Sequence, residues 1–143
     1  MKLAIIDFNR TIYDPETNTL VPGATEVLEF LADKKFTLVL ISKKEAGRSE
    51  RISNLGLNRY FAEMIFVDNK TPQLFREILS RYGADPAQTY VLGDHLHQEM
   101  YAGNVVGAKT IHLKRGKFAG LKPHKGEKPW KTITQLIQIT ELF

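Results

Sequence analysis

Four residues of this chain have the types a phosphoryl-transfer site needs, and they occur in chain order: Asp7, Ser42, Lys70 and Asp94. A carboxylate can attack phosphorus, a hydroxyl can hold an equatorial oxygen, an ammonium can offset the charge of the transferring group, and a second carboxylate can hold Mg²⁺. Asp7 follows the apolar run Leu3-Ala4-Ile5-Ile6, and the side chain two residues on, Asn9, has no proton to exchange near neutral pH. The pattern is that of a phosphoryl-transfer site with an amide where acid/base chemistry would be done.

Such residues meet only if the elements before them lie side by side. Apolar runs at Leu3–Ile6, Phe36–Ile41, Met64–Val67, Tyr90–Leu92 and Thr110–Leu113 read as five strands. Helical periods lie between them: Pro22-Gly23 to about Lys34, Ser42 as N-cap of a helix to about Leu55, Thr71-Pro72 opening another, and Gln98 to Val106. Ile133 to Leu142 reads as a terminal helix within a final segment of about 132–143, and Asp14 to Asn18 as a turn. Continuous rather than alternating apolar strands, each followed by a helix, predict a parallel sheet covered on both faces. The fold class is therefore α/β, a three-layer doubly wound sheet whose chemistry sits at the carboxyl ends of its strands.

The 143 residues, 43% apolar and 25% charged, fit one globular domain over 1–143, with a core of about 1–113. No cysteine is present, which excludes disulfides and thiolate metal sites. The first apolar run is four residues long and ends in Asp7, too short for a signal sequence or a membrane span, so the expected location is cytoplasmic and no membrane partner is expected. The net charge of +4 is uneven: Lys109–Lys131 holds eight Lys or Arg against Glu127 alone, leaving the remainder at −3. This basic stretch, about 114–131, reads as a solvated loop ahead of an anion-attracting surface, and nucleic acid is the less favoured partner.

The motifs resemble those of the haloacid dehalogenase-like (HAD) superfamily of hydrolases. A strand then D-x-D-x-T appears as Asp7-Phe8-Asn9-Arg10-Thr11, a hydroxyl after a strand as Ser42, a Lys ahead of a Pro and a helix as Lys70-Thr71-Pro72, and G-D with a later acid as Gly93-Asp94 with Glu99. The resemblance covers about Met1 to Leu113. It implies a Mg²⁺-dependent phosphatase or phosphotransferase acting through an aspartyl-phosphate on Asp7, with Asp7, Asp94 and the main-chain carbonyl of Asn9 as metal ligands. It further implies that Ser42 and Lys70 bind phosphate and that Glu99 and Thr11 support them.

Two departures matter. Asn9 stands where family phosphatases carry the Asp that protonates the leaving group and activates water. That leaves open a slow phosphatase selective for good leaving groups, a phosphotransferase with a long-lived phosphoenzyme, or a phosphate- or partner-binding relative without turnover; Asn9 serving only to hold the loop is compatible with each. Arg10 stands where many relatives have Gly, facing either substrate or water. His95, beside His97, is a candidate replacement acid. Only 30 residues separate Thr11 from Ser42 and 27 separate Ser42 from Lys70, leaving no room for a cap domain. An uncapped site favours a phosphorylated macromolecule as substrate, or an oligomer in which one chain covers another.

Overall fold

The computed structural model describes all residues, Met1–Phe143. Six parallel strands form one sheet: β1 (Lys2–Asp7), β4 (Phe36–Lys43), β5 (Glu63–Val67), β6 (Thr89–Gly93), β7 (Lys109–Leu113) and β8 (Lys131–Ile133), in the order β5-β4-β1-β6-β7-β8. A separate hairpin, β2 (Tyr13–Asp14) with β3 (Thr19–Leu20), fills the stretch expected to be a turn. The helices are α1 (Ala24–Asp33), α2 (Arg48–Asn54), α3 (Pro72–Tyr82) and α4 (Tyr101–Val105). The parallel, doubly wound α/β sheet expected from the sequence is the fold found, and it carries no separate cap domain.

Alternation along the central strand explains the three layers. Leu3 and Ile5 enter one core with Phe75, Ile78 and Met100, whereas Ala4 and Ile6 enter the other with Val27, Leu28 and Ile52. Both faces of β1 are thus buried, which is why its sequence is continuously apolar. No helix is long and apolar enough to cross a membrane.

Three local readings are corrected. Ser42 is not a helix N-cap: β4 runs on to Lys43 because Ser42 and Lys43 pair with Phe66 and Val67, and α2 starts only after Gly47, whose φ of 77° suits glycine. The segment after Val105 does not simply close into the last strand. Lys131–Ile133 adds β8 against Ile111–Leu113 before a 3₁₀ helix at Leu136–Glu141, so the terminal piece is part strand rather than all helix. Side chains of Gln135 and Gln138 reciprocally cap that short helix. Finally, the helix expected from Gln98 opens as a π-helical turn, Leu96–Met100, ahead of α4.

Candidate active site

Asp7 ends β1, Ser42 lies one residue from the end of β4, Lys70 stands in the β5–α3 connection and Asp94 follows β6 directly. Parallel register brings them to one edge, around a cavity of about 130 Å³ with Asn9, Arg10, Lys43, Arg48, His95, Gln98, Glu99 and Phe118. Only one of the twelve lining residues is hydrophobic. Asp7, Ser42, Asp94 and Glu99 are all buried. The strand-end residues singled out from the sequence therefore converge.

Lys70 anchors the interior. Its ammonium donates to both Asp7 Oδ1 and Glu99 Oε1, while the Thr11 hydroxyl donates to Asp7 Oδ2 at 3.3 Å. Burial alone would lower the Lys70 pKa, but the charges of Asp7 and Glu99 outweigh it and raise it, so the lysine stays cationic. Glu99 reaches this position over Gly93, where an added Cβ would lie 2.7 Å from Glu99 Oε2. The glycine of the Gly93-Asp94 pair is thus a space requirement. Glu99 Oε2 in turn accepts the His95 backbone N–H at 3.2 Å.

The carboxylates of Asp7, Asp94 and Glu99 offer ligand atoms within 4.8 Å of one another. Asp94 Oδ2 is buried with no hydrogen-bond partner. Burial, then the charges of Asp7 and Glu99, push Asp94 up to about 8, and burial followed by Asp7 pushes Glu99 to about 7. A protein does not bury an unpaired carboxylate oxygen beside two others without cost, and a divalent cation removes that cost. The donors are hard oxygens, which fits Mg²⁺.

Arg48 was not legible as a site residue. Its guanidinium, 5% exposed, donates to Ser42 Oγ and to Glu45, and lies 5.4 Å from the centroid of the Phe8 ring. The sequence signal was only a cationic cluster after Ser42, Lys43-Lys44 with Arg48, of a kind common on exposed loops. Ser42 Oγ accepts from Arg48 while its own hydroxyl donates to the Lys43 carbonyl at a long 3.3 Å, a bond it can exchange for one to an anion.

The rim is built differently. The loop after β1 is shaped by its backbone: the N–H groups of Thr11, Ile12 and Tyr13 all point to the Phe8 carbonyl, at 3.2, 2.9 and 3.0 Å. The Asn9 amide lines the cavity and forms no hydrogen bond within the protein, so loop shape does not depend on it. His95 accepts the His97 N–H at its Nδ1 (3.2 Å), leaving the proton on Nε2. Burial, then the neighbouring His97 and Lys43, lowers its pKa. Near neutrality His95 is thus an uncharged hydrogen-bond donor rather than an imidazolium acid.

The basic stretch is not merely solvated. Phe118 lines the cavity, its ring 4.4 Å from that of His95 and 5.4 Å from the Arg10 guanidinium. A clasp holds the far part of this loop: Glu127 bonds the His97 ring (2.6 Å) and the His124 N–H (2.7 Å). The His97 and His124 rings stack at 4.3 Å, 18° apart. A metal bound to both would have to lie in both ring planes, and near-parallel planes do not meet close by; the cluster is a hydrogen-bonded clasp.

A family model of haloacid dehalogenase-like hydrolases matches residues 2–107. Two curated relatives named glyceraldehyde 3-phosphate phosphatase are similar to the chain. That of Pyrococcus furiosus is 28% identical over 86% of this chain and 54% of its own length. That of Methanopyrus kandleri is 26% identical over 74% and 48%. The chain spans about half the length of these relatives. Among solved structures, a HAD phosphatase from Thermococcus onnurineus superposes with a TM-score of 0.82 at 16% identity, covering 99% of this chain and 97% of that one. The D,D-heptose 1.7-bisphosphate phosphatase of B. bronchiseptica, crystallised with magnesium and phosphate, gives 0.76 at 17% identity, covering 99% and 97%.

Proposed function

The chain belongs to the haloacid dehalogenase-like hydrolase family, and from that premise we propose that it hydrolyses phosphoryl compounds through an aspartyl-phosphate on Asp7. The observation that carries this reading is the Asp7 carboxylate, buried at the floor of a small polar cavity between Lys70 and Asp94. The names of the two phosphatase relatives support the same reaction class.

Asp7 forms a bond to phosphorus as the bond to the leaving oxygen breaks, and that oxygen departs with its electron pair. Lys70 and the Ser42 hydroxyl bind the transferring oxygens, with Arg48 fixing the Ser42 orientation. Mg²⁺, held by Asp7, Asp94 and the Asn9 carbonyl, would neutralise charge developing on the phosphoryl oxygens. In the second half, water attacks phosphorus, the bond from phosphorus to Asp7 breaks, and the carboxylate is restored with inorganic phosphate released and one proton lost to solvent.

Asn9 cannot protonate the leaving oxygen or activate that water, and loss of a general acid/base typically slows a step by about 10²–10⁴-fold. Acyl and aryl phosphates, whose leaving groups depart as stable anions, are therefore the favoured substrates, and the phosphoenzyme outlives that of an Asp-bearing site. The unengaged Asn9 amide also supports a second reading, a phosphate-binding protein without turnover. Release of phosphate from acetyl phosphate and p-nitrophenyl phosphate, with and without Mg²⁺, separates the two. Mg²⁺-dependent release supports the hydrolase; tight phosphate binding with no release overturns it.

A further inference from the structure

Arg10 is the residue of the site whose backbone is least comfortable. Its φ of 61° lies in the left-handed region, which costs a side-chain-bearing residue about 1 kcal/mol or more and which glycine adopts freely. Something else therefore favours an arginine here. Its Nη2 bonds Glu16 Oε1 at 3.1 Å and its guanidinium packs on Phe118, yet Nε is buried without any partner. A guanidinium fixed on two sides, with its side chain 21% exposed and a single hydrogen bond within the protein, keeps N–H donors for an acceptor that the protein does not itself supply.

Arg10 is also a shared wall. On one side is the reaction cavity, whose 130 Å³ holds a phosphoryl group and little beyond it. On the other is an adjoining cleft of about 290 Å³ lined by Arg10, Asp14, Glu16, Arg115, Gly116 and Lys117. Its two carboxylates are already engaged, Glu16 by Arg10 and Asp14 by Arg115 at 3.6 Å. Lys117 has no carboxylate partner and lies over the Phe118 ring. The cleft beyond the reaction cavity is thus left with uncompensated positive charge.

We infer that the leaving group of the substrate carries a second anionic group, a carboxylate or a phosphate, which Arg10 receives against the Phe118 face with Lys117 behind it. Arg10 is then a specificity-determining residue, and the basic loop gives this uncapped site its substrate selection. The inference rests on the phosphoryl-transfer reading and narrows its substrate class.

The test compares 4-carboxyphenyl phosphate with 4-carbamoylphenyl phosphate, aryl esters of similar size whose leaving groups differ in charge. The wild-type chain should favour the carboxylate ester in kcat/KM by about tenfold or more, chiefly through KM. Arg10→Gly, which suits the backbone and should fold, should bring the ratio to about one; Lys117→Gln should reduce it in part. A ratio near one in the wild type, or one unmoved by Arg10→Gly, overturns the inference while hydrolysis of both esters leaves the phosphoryl-transfer reading standing. Failure to hydrolyse either ester removes that reading and this inference with it.

Discussion

The floor and the rim of the cavity follow different rules. At the floor, Asp7, Lys70 and Glu99 form a closed network whose every link is buried, and Gly93 is small because Glu99 must pass over it. At the rim, Asn9 engages nothing, Arg10 sits in a strained backbone, His95 is held uncharged, and Phe118 arrives from a loop more than a hundred residues away in sequence. In the proposed reaction the floor binds and transfers the phosphoryl group, a task common to many substrates. In that reaction the rim would meet the leaving group, and it is there that Asn9 and Arg10 stand. On the proposed reading, the floor keeps the residues for phosphoryl transfer, whereas the rim has in Asn9 no group that can pass a proton to the leaving group.

That contrast can be broken at the floor first. Asp7→Asn should reduce turnover of any phosphoryl compound to background with the fold retained, as followed by phosphate release beside circular dichroism. Asn9→Asp acts at the rim and should raise hydrolysis of alkyl phosphates, which need protonation of the leaving oxygen, by about 10²-fold or more, with a smaller gain on acyl phosphates. No gain on either would mean that the floor, too, is disabled. Arg48→Ala removes a charge-assisted bond to Ser42 and should raise KM for phosphoryl substrates about tenfold in steady-state kinetics. Gly93→Ala, which forces Glu99 away, should destabilise the chain by about 1–3 kcal/mol in urea unfolding.

The smallest effect concerns pH. Asp94 and Glu99 have folded-state pKa values raised to about 8 and about 7, above their unfolded values. Groups shifted that way stabilise the fold fully only below the unfolded value and lose that contribution as pH rises through the folded one. In chelator, thermal stability should therefore fall from pH 6 to pH 9, by about 3 °C or more, and added Mg²⁺ should recover more of it at pH 9 than at pH 6. A flat profile in chelator would contradict the raised pKa values of these two buried carboxylates.

How much of this could be read from sequence follows the same division. The floor was legible because its residues sit directly after apolar strands, so strand periodicity and parallel topology fix their placement: Asp7 after Ile6, Asp94 after Gly93. Ser42 is legible as a hydroxyl after a strand but also reads as a helix cap, since the pairing with β5 that prolongs β4 is a tertiary contact. β8 is only three residues, Lys131–Ile133, two of them exposed, and carries too little pattern to be seen. Arg48 and Phe118 were missed for a further reason. Nothing local distinguishes a buried arginine from an exposed one, and Phe118 reaches the site only because β7 and β8 bring the intervening loop back across the strand ends.

If Asp7 attacks and Asn9 leaves the second step slow, a phosphoenzyme accumulates, as proposed above. Rapid-quench measurement with acetyl phosphate and Mg²⁺ tests it most directly, following both acetate release and phosphate bound to protein. A burst of acetate approaching one equivalent per chain, with phosphate on Asp7, is expected, absent in Asp7→Asn and shortened in Asn9→Asp. Linear acetate release with no phosphoprotein, unchanged in Asp7→Asn, would contradict it.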